Sequence, residues 1–321
     1  MCSAAARSDL GRGIGLPRPA RFAIPFDSHA SSTFSRRVTQ FLNWQVGDIR
    51  ITRVQEFEAP GIGFLLPEAT RENLAEIGWI GPYVDARGEA VGSVHSLILE
   101  VGKRRIVVDT CVGNDKDRLP LRMWHERQGP FLDDLAEAGF PVETIDTVAC
   151  THLHTDHVGW NTRMVDGKWI PTFANARTVL TRAEWEHWSA SEEDVMKKTV
   201  DDSVRPLFEA DVVDLVEPTH ELAEGVVFEP TPGHSPGHVS VRIESRGERA
   251  VITGDLVHHP AQLARPAWQN HADSDAAQAA RTRLDFMERY ADTPTLVIGT
   301  HFAGPTAGRL VRDGDAYRLE A

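Results

Sequence analysis

The chain has little cysteine and no excess of positive charge. Its only three cysteines, Cys2, Cys111 and Cys150, are odd in number and far apart, which excludes a disulfide framework. Asp and Glu number 47 against 34 Lys and Arg, a formal charge of −13. A nucleic-acid surface needs clustered cations, so that partner class is set aside. No apolar run reaches the roughly 20 residues needed to cross a bilayer, so no membrane partner is expected. Residues 1–40 are dominated by Ser, Ala, Arg, Gly and Pro and lack the apolar segment of a secretory signal. Ser35-Arg36-Arg37 is followed by Phe41-Leu42-Asn43-Trp44-Gln45, not by the apolar stretch a twin-arginine signal requires. Residues 1–40 therefore read as a flexible arm or an over-long start to the reading frame, and a cytoplasmic location is expected. No linker or repeat divides residues 41–321, which are expected to form one domain. Hydrophobic residues at 41% and charged ones at 25% suit a globular chain with a substantial core.

What the chain does have is histidine in an unusual density. His152, His154, Asp156 and His157 occupy one six-residue stretch, directly after the apolar run Ile145 to Cys150. Imidazoles and carboxylates crowd together only where something offsets their desolvation. A strand running into a loop aims His152 and His154 the same way, and the loop then turns Asp156 and His157 toward a second position. Three more candidates follow strands in the same manner: His234 in Pro232-Gly233-His234, Asp255 in Thr253-Gly254-Asp255, and His301 in Gly299-Thr300-His301. Strand ends are where a rigid scaffold presents a site. Together these residues suit two divalent ions. Imidazole plus carboxylate without thiolate favours zinc and also accommodates manganese, iron or cobalt.

The order His-x-His-x-Asp-His, then His, Asp and His, resembles the metallo-β-lactamase superfamily over about residues 45 to 317. The resemblance implies an α/β fold, an αββα sandwich of two mixed sheets flanked by helices. It implies that His152, His154 and His234 hold one ion and Asp156, His157 and His301 the other, with Asp255 bridging. Asp109, in Val107-Val108-Asp109-Thr110, matches a strand-end aspartate that supports the ligands from behind. The chemistry implied is hydrolysis by a metal-bridging hydroxide, which Asp156 orients while carrying a proton toward the leaving group.

Within the superfamily, Asp255 and His301 together set the chain apart from true β-lactamases, and the short C-terminus from type II glyoxalases. His154 sets it apart from diiron flavoproteins. The pattern looks most like the branch of acyl-homoserine lactonases and methyl parathion hydrolases. The expected substrate is thus a small lactone or carboxylic ester, with phosphotriesters as a side activity. Organophosphate hydrolysis as the main activity is one alternative, and a non-hydrolytic metal-binding or redox protein is another. Lactonases place a tyrosine three residues after the bridging aspartate, where this chain has His258. That residue is expected to face the substrate as a hydrogen-bond donor. Trp160, Trp268 and Phe302 are candidates for an apolar pocket wall. The Ala59 to Pro67 loop, carrying Phe64 and Leu66, reads as a lid or as an arm gripping a second copy in a homodimer.

Helices are expected from Thr70 to Ile77, from Phe131 to Ala138, through 183–208, and from Ser274 to Tyr290 with Leu284 on the apolar face.

Overall fold

A computed structural model describes residues 41–321; the arm expected over 1–40 lies outside the described residues. In the first half the strands are β1 (Asn43–Val46), β2 (Ile49–Pro60), β3 (Val91–Val101), β4 (Arg104–Val108), β5 (Thr147–Ala149), β6 (Thr162–Val165), β7 (Lys168–Pro171), β8 (Arg177–Thr181) and β9 (Val213–Val216). Among them lie α1 (Arg71–Ala75), α2 (Phe131–Glu137), α3 (Thr155–Val158), α4 (Arg182–Trp188), α5 (Asp194–Thr199) and α6 (Arg205–Glu209). The second half supplies β10 (Glu221–Ala223), β11 (Val226–Pro230), β12 (Val239–Ser245), β13 (Glu248–Ile252), α7 (Ala261–Ala264), α8 (Ala276–Tyr290), β14 (Leu296–Ile298), β15 (Ala307–Asp313) and β16 (Ala316–Glu320).

Two seven-stranded sheets result. The first runs β1-β2-β3-β4-β5-β8-β9, antiparallel as far as β4 and parallel beyond it. The second runs β10 to β16 in chain order, antiparallel except for β13 and β14. A parallel pair needs a crossover, and α7 and α8 lie on it.

Successive side chains of a strand point to opposite faces, so each strand serves two cores. Leu97, Leu99, Ile106 and Val108 pack against Val241, Ile243, Ala250 and Ile252 between the sheets. Ile98 and Val107 face the other way, toward Phe131 and Leu135 of α2. On the second sheet Val251 and Val297 turn outward to Phe286 and Met287 of α8. The layers are therefore helix, sheet, sheet, helix, the αββα order the resemblance implied.

Local signals explain where several helices start and stop. Thr70 caps α1, its hydroxyl accepting from the Asn73 amide at 3.2 Å. The helical stretch through 183–208 is α4, then α5 and α6 joined by one wider turn over Val200–Val204. One expectation is corrected. Leu284 is 41% exposed, while Ala279, Arg283, Phe286, Met287 and Tyr290 form the buried arc of α8. Those five keep the three- and four-residue spacing of a helix face, and Leu284 lies roughly 100° around from Arg283.

Candidate metal centre

Each expected donor sits on a connection leaving the C-terminal end of a strand: Asp109 after β4, His152 to His157 after β5, His234 after β11, Asp255 after β13 and His301 after β14. The chain past β5 departs from expectation in one respect. His152 lies on irregular backbone, but Asp156 and His157 stand on the single helical turn α3, for which His154 is the preceding residue. Gly254 adopts φ +55°, and a Cβ there would come within 2.5 Å of His238 Nε2. The approach is that close because His238 Nε2 accepts the Asp255 amide at 2.8 Å.

The side chains converge as two groups. His152, His154, His234 and Asp255 bring one donor atom each within 4.8 Å of one another, and so do Asp156, His157 and His301. Asp255 faces both groups. Its Oδ2 lies 3.4 Å from His234 Nε2 and 3.7 Å from His152 Nε2, while Oδ1 lies 2.9 Å from His301 Nε2 and 3.2 Å from His157 Nε2. Asp156 reaches the second group only, at 3.7 Å from His157 Nε2 and 3.6 Å from His301 Nε2.

Hydrogen bonding shows that this arrangement fits cations. His157 Nδ1 donates to Asp109 Oδ2 at 2.9 Å, and His301 Nδ1 donates to the Ser93 carbonyl at 2.8 Å. A neutral imidazole has one N–H, so both Nε2 atoms carry lone pairs. Those two atoms are 3.2 Å apart, with Asp255 Oδ1 beside them. Three lone-pair atoms converging in a buried space repel unless positive charge lies among them. His152 Nε2 and Asp255 Oδ1 are buried without a hydrogen-bond partner among the described residues. The titration behaviour agrees. Burial depresses His157, but Asp255, Asp156 and Asp109 outweigh it and hold the group well above its usual range, so the carboxylates favour positive charge at this spot, whether a proton on the imidazole or a cation beside it. Burial pulls His152, His154 and His234 well below theirs, which keeps their lone pairs free. The residues present thus fit divalent ions. Thiolate ligation does not fit: Cys111 and Cys150 are buried free thiols, and burial pushes Cys150 up to about 12.

Behind the donors stands a support that the sequence showed only in part. Asp109, besides holding His157, accepts from the Thr151 amide and hydroxyl at 2.8 Å each. Glu184 on α4 is completely buried and accepts from the Leu153 amide, the Ser235 hydroxyl, the Gly237 amide and the Trp188 indole. It thereby ties the loop of His152 and His154 to that of His234. No spacing in the sequence distinguishes Glu184 from any other helical glutamate.

His258, expected to face the substrate, packs against the donors. It is buried at the centre, its ring parallel to that of His301 at 5.7 Å, with Nε2 3.0 Å from Asp255 Oδ2. Its Nδ1 is buried and has no hydrogen-bond partner among the described residues. Geometry makes it a partner of Asp255.

The pocket-wall residues divide as well. Trp160 stacks on Phe131 at 5.9 Å and donates to Glu56, so it is a core residue. Phe302 is fully buried in the outer core of the second sheet, and Leu66 is buried too. Aromatic area gains more from packing beneath a sheet than from facing solvent, which is why these expectations give way. Trp268 is half-buried, and Phe64, 50% exposed, ends a short 3-10 turn over Ile62–Phe64.

The comparisons agree with this geometry. The family model described as metallo-beta-lactamase superfamily matches residues 90–301. An N-acyl homoserine lactonase of a Bacillus species is 30% identical over 122 residues, 38% of this chain. A probable metallo-hydrolase of Bacillus subtilis, YybB, is 27% identical over 150 residues, 43% of this chain and 63% of its own length. The chain spans 42% of the length of that lactonase. Among solved structures, the hydrolase AbOPH superposes with a TM-score of 0.74 over 89% of this chain and 99% of its own, at 22% identity. AidC, described as a dizinc quorum-quenching lactonase, gives 0.70 over 87% and 96%, at 19% identity. Those two likenesses are of fold. The family match spans the stretch from β3 to His301 that carries every strand-end donor, and by it this chain belongs to the metallo-β-lactamase superfamily.

Proposed function

We propose that this protein is a dinuclear metal-dependent hydrolase that opens lactones or cleaves carboxylic esters, with phosphotriesters as a second accepted class. The observation that carries the reading is Asp255, which turns one oxygen to each of two buried donor groups. His152, His154 and His234 would hold one ion, Asp156, His157 and His301 the other, and Asp255 both. Zinc is the first candidate on donor chemistry. When bound, such ions supply an activated water and a Lewis acid for the electrophilic oxygen. The remaining work belongs to side chains. Asp156 is the more accessible of the two carboxylates and would take a proton from the attacking water and pass it to the leaving oxygen. His258 and His238 hold Asp255 through its carboxylate and its amide. The matched stretch in the Bacillus lactonases supports the lactone arm.

Elemental analysis of purified protein, followed by a screen of the zinc- and manganese-loaded forms against lactones, aryl esters, phosphotriesters and a β-lactam, tests this. About two metals per chain and chelator-sensitive lactone or ester turnover are expected. Absence of transition metal, or activity indifferent to chelator, overturns the reading. Two metals without turnover of any of these substrates points to the non-hydrolytic alternative.

A further inference from the structure

The imidazole of His234 is held by a carboxylate 39 residues away in sequence. His234 Nδ1 donates to Asp273 Oδ1 at 2.9 Å, and both side chains are buried. Asp273 lies on the connection between α7 and α8, beside the buried guanidinium of Arg283 on α8. Arg283 donates to the Leu256 carbonyl at 2.8 Å and the Trp268 carbonyl at 3.1 Å, and its third nitrogen lies 3.5 Å from Asp273 Oδ2. One cation thus fastens the residue after Asp255, the far limb of the connection and the carboxylate behind His234.

The start of α8 grips the His234 loop from the same side. The Ser274 and Asp275 amides donate to the carbonyls of His234 and Gly233 at 2.9 Å each, and the Thr282 hydroxyl donates to the Pro232 carbonyl at 2.7 Å. Gly233 takes φ +132°, and a Cβ there would run into the backbone nitrogen of Ala279. The register between Asp273 and His234 is therefore set by backbone contacts on both sides.

We propose that Asp273, compensated by Arg283, is a positioning residue that fixes the His234 tautomer and sets the metal affinity of the position built from His152, His154 and His234. The inference rests on the dinuclear reading above. A carboxylate at Nδ1 keeps the single imidazole proton there, leaves the Nε2 lone pair toward the ion and raises its basicity. Asp109 has the same relation to His157 in the other group. Each position thus has one histidine with an anionic partner, and the two positions can be weakened separately.

The test is competition titration of zinc against a chromophoric chelator, with wild type, Asp273→Ala and Asp273→Asn. In Asp273→Ala one of the two ions should bind about 10- to 100-fold more weakly while the other keeps its affinity. The proton resonance of His234 Nδ1–H should disappear with it. Asp273→Asn preserves shape but not charge, and a several-fold weakening of the same ion is expected. Melting of the metal-free proteins separates this from a loss of fold; if Asp273→Ala does not fold, Asp273→Asn decides. Two ions in wild type, with folded variants matching its affinity for both, overturns this inference alone. Wild type binding no metal overturns the dinuclear reading with it.

Discussion

Asp156 and Asp255 differ in one respect that separates their roles. Asp255 faces both donor groups and Asp156 only one, so on the proposed ligand set replacing Asp156 would leave six donors for the two ions. Asp156→Asn keeps the shape and removes the proton acceptor. Its turnover is expected to fall by roughly two or more orders of magnitude at unchanged metal content, measured by kcat alongside elemental analysis. Near-normal turnover would end the assignment. Two other residues contribute to acid stability. His238 Nδ1 donates to the Thr231 carbonyl and its Nε2 accepts the Asp255 amide, while His259 Nε2 donates to the Tyr83 carbonyl and its Nδ1 accepts the Ala261 amide. Both are neutral with both nitrogens engaged, and burial lowers each to about 4. A folded value below the unfolded one means the unfolded chain takes up protons first. The stabilisation is therefore complete above about pH 6.5 and is lost as pH falls from there toward 4. Each group contributes on the order of 3 kcal/mol. Urea midpoints of the chelated protein at pH 7, 6 and 5 should decline, and His259→Asn should decline less steeply. In the sequence nothing marks these two histidines, one 17 residues before Asp255 and one four after it; only their partners reveal them as fixed and uncharged.

Among the elements, α8 carries more than its length suggests. Asp275 caps it, accepting from the Gln278 amide at 2.9 Å, and Asp275→Ala should cost about 1 kcal/mol, visible as a lower melting temperature of the metal-free protein. Since the same turn grips the His234 loop, metal affinity should fall in that variant as well. Affinity unchanged at reduced stability would show the cap and the loop to be independent. The helix as such was legible from its apolar spacing, and so were the strands whose ends carry donors, because a buried strand has to end in polar residues somewhere. Which side of α8 is buried was not. Leu284 invited the wrong arc, because a single sequence does not show that the guanidinium of Arg283 finds two carbonyls and a carboxylate beneath the helix.

At the scale of the whole molecule, the candidate donors come from both sheets, so ions bound there would cross-link the two halves of the sandwich: His152 to His157 from the first, His234, Asp255 and His301 from the second. Ions that bind the folded chain alone stabilise it by mass action, about 2.7 kcal/mol for a ligand at 100 times its dissociation constant. Chelation should lower the melting temperature by several degrees, and stoichiometric zinc should restore it. A chelated protein melting unchanged would mean that the halves are held without the ions. The donor types, their order and their places after apolar runs could be read from the sequence alone, because coordination chemistry is written in side-chain identity and strand ends in hydrophobic pattern. Only the tertiary structure decided that the two oxygens of Asp255 face different groups, that Asp273 and Glu184 stand behind the ligand loops, that His258 turns to Asp255, and that Trp160 and Phe302 are core. Apart from His258, which is three residues from Asp255, each of those depends on contacts between residues tens to more than a hundred positions apart, and such contacts exist only once the sheets have packed.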